Sequence, residues 1–372
     1  TLLLLDDLGY AVEIAQGHLI LEDCSISSHG LACVLIHSRA MASIRRNYIH
    51  SIENDGVSLS NRARAVVEEN EIALNDGIGL DIRAGCEVTV RKNHFIGGST
   101  GVRIMGHSSV VVEDNDIGGN RYLGIEIESH NEPTIRRNII HDCQVAGIHV
   151  SDSARGLIED NTIFAIGGVG IVITDGSHPS VKNNRIHGCQ GNAVFVLDKG
   201  RGQIEDNDIF NNVYPGLAIK SGGNPVVRRN RIHGGQSAGI WVYDQGQGVL
   251  EGNDIANNAD AGIAIDTGGN PVVRRNHIHD NQQAGISIYN QGRGAIEDND
   301  VIHNGEAGVE VRAGSNVAVR KNRIHRNQDV AIWVHEEGGG VFKANDLSDN
   351  VRGAWDIDDS SLPLVKRANN LE

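Results

Sequence analysis

One asparagine recurs through almost the whole chain. Asn47, Asn70, Asn93, Asn115, Asn138, Asn161, Asn184, Asn207, Asn230, Asn253, Asn276, Asn299, Asn322 and Asn345 follow one another at steps of 23 residues, with a single step of 22 at Asn93–Asn115. Cys24 holds the equivalent place before the series and Asn369 follows it at a step of 24, which makes sixteen copies. Nine residues after the asparagine comes a glycine column, Gly56, Gly79, Gly124, Gly147, Gly170, Gly216, Gly239, Gly262, Gly285 and Gly308, heading segments of the type Gly-Ile-x-Ile. Gly101 belongs to it one residue early, and Ala193, Ala331 and Ala354 replace glycine in three units. Alternating Val and Ile of this kind form short strands. A unit of this size cannot cover its own apolar face, but a stack of such units can. The spacing therefore predicts an all-β fold, a single-stranded right-handed parallel β-helix solenoid of about 15–16 coils of 23 residues. It is expected to form one domain over 1–372, with irregular coils over 1–40 and a last coil over 350–372.

The asparagine column has a physical reason. Asn tolerates a left-handed backbone at a tight bend. Its amide carries both donors and an acceptor, so one Asn can bond the next up the stack. Asn138, Asn161, Asn184, Asn207, Asn230, Asn253, Asn276 and Asn299 are read as a structural ladder. The residue two before the Asn alternates in sign, Arg45, Glu68, Arg91, Glu113, Arg136, Glu159, Lys182, Glu205, Arg228, Glu251, Arg274, Glu297, Arg320, until Lys343 breaks the series. Stacking places each basic residue between two acidic ones, as a register-setting surface ladder. Three residues after the Asn, alternate coils carry His50, His141, His187, His233, His279 and His325. Members of this row stand two coils apart, about 9.6 Å by strand spacing, too far to share a metal ion. Cys143 and Cys189 also sit two coils apart, beyond disulfide reach. All five cysteines are expected to be free thiols, which points toward a reducing compartment.

The net charge of −15 excludes an overall attraction for nucleic acid or anionic membrane. No apolar run approaches the ~20 residues of a membrane span. The 46 glycines do not recur every third residue, which excludes a collagen-like chain. The chain opens on TLLLL without a Met and closes on Leu371-Glu372, so it reads as a recombinant fragment of something longer.

Residues 223–255 and 269–301, which share Asn-Pro-x-x-Arg-Arg-Asn-x-Ile-His, resemble the β-helix repeats of the carbohydrate-binding and sugar-hydrolase (CASH) group, in the pectate-lyase-like superfamily. They are especially similar to the β-helix of F-box-only substrate receptors of ubiquitin ligases. The resemblance covers residues 40–350 and implies a right-handed parallel β-helix. Its relatives include polysaccharide lyases, hydrolases, epimerases and non-enzymatic receptors, so it does not fix an activity. No F-box pattern is present, and ligase membership does not carry over.

A solenoid acts through residues that break its regularity. The outward position of Gly-Ile-x-Ile includes His149, Phe195, Trp241 and Trp333, and two residues further on come Tyr243, Tyr289 and His335. Trp241, Tyr243, Tyr289, Trp333 and His335 are expected on one face, where rings can stack on sugars or anchor a protein. Asp152, Asp175, Asp198 and Asp244 form a carboxylate column that is weighed for catalysis and read as turn-forming. No cofactor motif is present. Ca²⁺ enters only under an enzyme reading. The expectation is a non-enzymatic recognition or scaffold β-helix with a protein or glycan partner, and the alternative is a polysaccharide lyase, epimerase or hydrolase.

Overall fold

The computed structural model describes residues 2–4, 9–51, 54–73 and 76–372. Of the opening TLLLL, Leu2–Leu4 are in a strand, and Thr1 and Leu5 lie outside the described residues. The chain divides into two compact units, Thr1–Arg185 and Ile186–Glu372. Both consist of coils of three short strands, and like strands of successive coils pair in parallel. The fold is an all-β parallel solenoid of about 15 turns of roughly 23 residues.

Sheet I holds the strands that follow the ladder Asn, such as Ile139–His141 and Asp254–Ala256. Sheet II holds the Gly-Ile-x-Ile strands, such as Ala146–Val150 and Ile240–Val242. Sheet III holds the strands that precede the next Asn, such as Leu157–Glu159 and Val249–Glu251. The N-terminal stretch expected to be irregular already carries this pattern, in Tyr10–Ile14, His18–Glu22, Ser25–Ser28 and Ala32–Ile36.

The core is a set of aliphatic columns. Each sheet I strand sends one side chain inward, and Ile140, Ile163, Ile255 and Ile278 are fully buried. Sheet II sends two, as at Ile148 and Val150 or Ile240 and Val242. A one-residue slip would turn each of these outward, which is why the coil length is held so strictly. The glycine column is steric in origin. A Cβ on Gly285 would stand 2.7 Å from the Gly308 carbonyl oxygen and 2.4 Å from Val301 Cγ1.

The asparagine ladder is continuous within each unit. Asn138 donates from its backbone N (2.9 Å) and its Nδ2 (3.0 Å) to Asn161 Oδ1, and Asn161 does the same to Asn184. In the second unit, Asn207, Asn230, Asn253, Asn276, Asn299, Asn322 and Asn345 continue the pattern. Two details differ from the sequence reading. The left-handed backbone falls on the residue before the ladder Asn, as at Arg137 (φ 53°), Asp160 (55°) and Arg229 (55°). Bending one residue early leaves the amide itself pointing into the stack. The ladder also ends on Asn370, which accepts from Asn345, while Asn369 takes the bend at φ 54°. The last coil is longer because it contains the 3₁₀ turn Leu362–Leu364.

On sheet III the alternating charges meet. Arg136 and Arg137 both reach Glu113, at 2.7 and 2.9 Å, and Arg228 and Arg229 reach Glu205 at 2.7 and 3.0 Å. All five cysteines are free, and four of them are buried.

Candidate functional site

In the second unit the outward side chains of sheet II run, one per coil, Phe195, Ala218, Trp241, Ala264, Ser287, Glu310 and Trp333. Parallel pairing fixes their order, because residues in register lie one strand spacing apart, about 4.8 Å. Tyr243, Tyr289 and His335 stand two residues beyond Trp241, Ser287 and Trp333 and point the same way. Trp241 stacks face to face on Tyr243 with ring centroids 3.9 Å apart, and Trp333 stacks on His335 at 4.0 Å. Four strand spacings separate the two stacked pairs, about 19 Å. The small, buried Ala264 and Ser287 between them leave a hollow. Lys220 Nζ lies 5.7 Å from the Phe195 ring and 5.9 Å from the Tyr243 ring, so these aromatics form one cationic-aromatic rim.

The hollow is a cavity of about 370 Å³ whose lining includes Asp260, Ala264, Ser287, Tyr289, Glu306, Glu310, Arg312 and Trp333. The Ser287 hydroxyl donates to Glu310 Oε2 at 2.5 Å, and His335 Nε2 lies 3.1 Å from Glu310 Oε1. Arg312 caps the Tyr289 ring at 4.9 Å and approaches Glu310 at 3.3 Å. Burial, then Asp266 and Asp260, pushes the Tyr289 hydroxyl up to about 12, so it is a donor at any physiological pH. Glu306 is solvent-exposed as a residue, yet partial desolvation of its carboxyl holds it above the usual carboxylate range, with Glu310, Asp260 and Asp329 adding to the effect. The Trp241 indole N–H is buried beside the Tyr289 hydroxyl. The site thus offers ring faces, a phenolic donor and carboxylate acceptors.

The first unit presents a different outward row on its own Gly-Ile-x-Ile strands: Ser58, Asp81, Arg103, Glu126 and His149. The Asp81 side chain is completely buried and accepts two bonds of 3.0 Å from Arg103 and another from Arg83. Burial holds His149 below its ordinary value, against the pull of Glu128 and Asp175. Burial and Glu128 push Glu126 up. Glu126 and His149 stand in register on adjacent strands, so their opposite shifts lie one coil apart on one face. A further hollow of this unit, about 660 Å³, lies on sheet III among His18, Ile20, Met41, Ala65, Val66 and Val111, and its lining contains no Phe, Tyr or Trp.

Trp241, Tyr243, Tyr289, Trp333, His335 and Phe195 all lie on the outward side of sheet II in the second unit, and His149 lies on that of the first. Asp152, Asp175, Asp198 and Asp244 take left-handed turn positions, with φ of 53°, 50°, 47° and 46°. Asp244 accepts from the Ser221 hydroxyl at 3.1 Å. Sequence reasoning did not reach Asp260, Glu306 or Arg312. The first two sit in connections ahead of the strand, where no alternation marks a residue as inward or outward.

The right-handed β-helix region model matches this chain over residues 5–118, 32–180, 169–299 and 282–370. The chain belongs to the right-handed β-helix family. No curated protein matches this β-helix in sequence. Among solved structures it is similar to the A-module of the Azotobacter vinelandii mannuronan C-5 epimerase AlgE4, at 13% identity over 87% of this chain and 88% of that one, with a TM-score of 0.44. It is also similar to the periplasmic alginate epimerase AlgG, at 15% identity over 91% and 76%, with a TM-score of 0.39. The A-module of the Azotobacter vinelandii epimerase AlgE6 matches at 14% identity over 91% and 90%, with a TM-score of 0.39.

Proposed function

We propose that this β-helix is a non-enzymatic recognition protein that binds a neutral glycan along sheet II of its second unit. One observation carries the reading: two stacked aromatic pairs, Trp241/Tyr243 and Trp333/His335, bracket a hollow floored by Ala264 and Ser287. Rings standing on a rigid sheet supply apolar faces for sugar rings at little conformational cost. A rise of about 4.8 Å per coil is close to the length of one extended pyranose unit, so successive coils can address successive sugars. Asp260, Glu306 and Glu310 accept hydroxyls and repel polyanions, so uronate polymers are the wrong ligands for this face. The hydroxyl of Tyr289 supplies a donor. A protein partner in the manner of the F-box-only receptors is the weaker form of the same reading, because the cavity is polar and small.

Affinity electrophoresis in gels containing neutral β-linked polysaccharides tests this, with uronate gels in parallel. Retardation in neutral gels only, lost in Trp241→Ala/Tyr289→Ala, is the expected result. Equal mobility in every gel, or retardation untouched by the double substitution, removes the proposal.

A second reading is favoured by the first unit. His149, held low by burial, in register with Glu126, held high by burial, and with Arg103 anchored on buried Asp81, is suited to a lyase or epimerase acting on a sugar acid. Arg103 would neutralise the substrate carboxylate and His149 would take the proton. Incubation with uronate polymers, followed by ultraviolet absorbance of unsaturated ends and proton NMR of the product, tests it. No new signal, or turnover equal in His149→Ala and the parent, rejects the enzyme reading.

A further inference from the structure

We propose that Asp254, His277 and His279, on the outer side of sheet I in the second unit, form a binding site for a divalent transition-metal ion of the zinc class. The starting point is a break in the repeat. Where other coils read Arg-Ile-His (Arg231–His233, Arg323–His325) or Ile-Ile-His (Ile139–His141), this coil reads His277-Ile278-His279, and His-Ile-His occurs nowhere else in the chain. Histidines of the straight column are two coils apart and cannot share an ion. Here both belong to one strand.

The geometry follows from that placement. Ile278 is fully buried, so His277 and His279 both project outward, with ring centroids 4.2 Å apart. The neighbouring strand pairs Asp254 with His277 and Ala256 with His279. Ala256 fills little of the space beside His279, and the imidazole leans across it until Nε2 is 2.8 Å from Asp254 Oδ1. One ligand atom from each of the three residues lies within 4.8 Å of the other two. A zinc-class ion takes its nitrogen and oxygen donors at about 2.0–2.2 Å, so it reaches all three with small side-chain rotations.

The surroundings prepare the imidazoles. Asp280 Oδ2 holds His279 Nδ1 at 2.7 Å, which directs the lone pair of Nε2 toward the site. Asp300 Oδ2 lies 3.3 Å from His277 Nδ1 and leaves its Nε2 as the ligand atom. A carboxylate on the far ring nitrogen is the outer-shell arrangement that orients metal-binding histidines. Three protein ligands leave a fourth position open. Because His277 is exposed, that position faces solvent and can take water or a ligand atom from a partner. The closest internal comparison is Asp208 with His233, at 3.1 Å, where Arg231 replaces the middle histidine and puts a cation at the place of a donor.

The test is zinc binding to tag-free full-length protein by calorimetry and by competition with a chromogenic chelator at neutral pH. The parent should bind one more equivalent than His277→Arg, which restores the residue of the neighbouring repeats. Asp280→Asn should weaken that equivalent about 10–100-fold, and His233→Ala should leave it intact. Melting in chelator shows whether each variant is folded, and added zinc should raise the melting temperature of the parent but not of His277→Arg. Equal stoichiometry and equal zinc-induced stabilisation in parent and His277→Arg would overturn the site. Loss of the same equivalent in His233→Ala would overturn its location.

Discussion

Asn258 donates twice to the side-chain oxygen of Asn281, from its backbone N at 3.1 Å and from its Nδ2 at 3.0 Å. This contact belongs to a second amide ladder, five residues after the first, at the corner between sheets I and II. Asn281 passes the same pair of bonds to Asn304, Asn304 to Asn327, and Asn327 to Asn350. Every member is buried. Replacing Asn281 by Ala orphans the buried N–H of Asn258, a loss of about 1–3 kcal/mol. Chemical denaturation should show a lower midpoint in Asn281→Ala with an unchanged slope. An unaltered midpoint would mean that the second ladder contributes nothing.

The ladder is interrupted in the first unit, and the interruption explains a cysteine. Asn120 Nδ2 meets Cys143 Sγ at 3.8 Å, a weak acceptor in a place where an amide oxygen would sit. Burial pushes the Cys143 thiol up to about 11, so it stays protonated. Cys143→Asn supplies the missing oxygen, and its own Nδ2 can reach the carbonyl 26 residues back, as Asn281 Nδ2 reaches Ile255 O at 3.2 Å. The expected change is a gain of about 0.5–1.5 kcal/mol, read as a higher melting temperature. Destabilisation would show that the corner is shaped for sulfur.

The glycine column was visible in the sequence, but its cause was not. Gly239, Gly262 and Gly285 each face the carbonyl oxygen of the following coil at a distance that admits no methyl group. Gly285→Ala should therefore cost about 1–3 kcal/mol through forced displacement of Gly308 and Val301. Ala331 shows that one coil can accommodate the methyl, so the reverse change, Ala331→Gly, should cost less than 1 kcal/mol beyond its backbone entropy of about 0.5–1 kcal/mol. Matched denaturation curves of the two variants check the asymmetry.

The solenoid was legible because each coil must put its Ile and Val at one fixed offset to bury them, and a fixed offset leaves a column in the sequence. The first Asn ladder was legible for the same reason. The second was hidden by Cys143, Ile166, Cys189 and Gly235, which stand where its asparagines would be. The aromatic row could be placed by register, since Trp241 and Trp333 share the outward position. The carboxylates of Asp260 and Glu306 could not, because they lie in connections without alternation. The histidine–aspartate contacts escaped for a geometric reason. Asp116–His141, Asp208–His233, Asp254–His279 and Asp300–His325 each join residues 25 apart, on a diagonal, whereas aligning the coils compares residues 23 apart.

That diagonal makes a pH prediction. His141 places its ring over Gly118, where a Cβ would clash with it, and stacks on Phe164 at 5.2 Å. Asp116 holds Nε2 at 2.9 Å and Asp142 holds Nδ1 at 2.7 Å, while His94 shares Asp116 at 3.0 Å. Burial lowers the affinity of His141 for a proton, but the hydrogen bonds to Asp142 and Asp116 outweigh it, and the net shift is upward. A histidine whose folded value exceeds its unfolded value of about 6.5 stabilises the protein fully below that value. The contribution then fades as pH rises through the folded value. The folded protein should therefore lose stability on going from slightly acid to mildly alkaline buffer, and Asp142→Asn should lose less over the same interval. Proton NMR of the His141 ring gives the midpoint directly: above the free-histidine value in the parent, and lower in Asp142→Asn. A midpoint that stays put in the variant would assign the shift to Asp116 alone, and a parent midpoint below the free value would mean that burial by Phe164 outweighs both carboxylates.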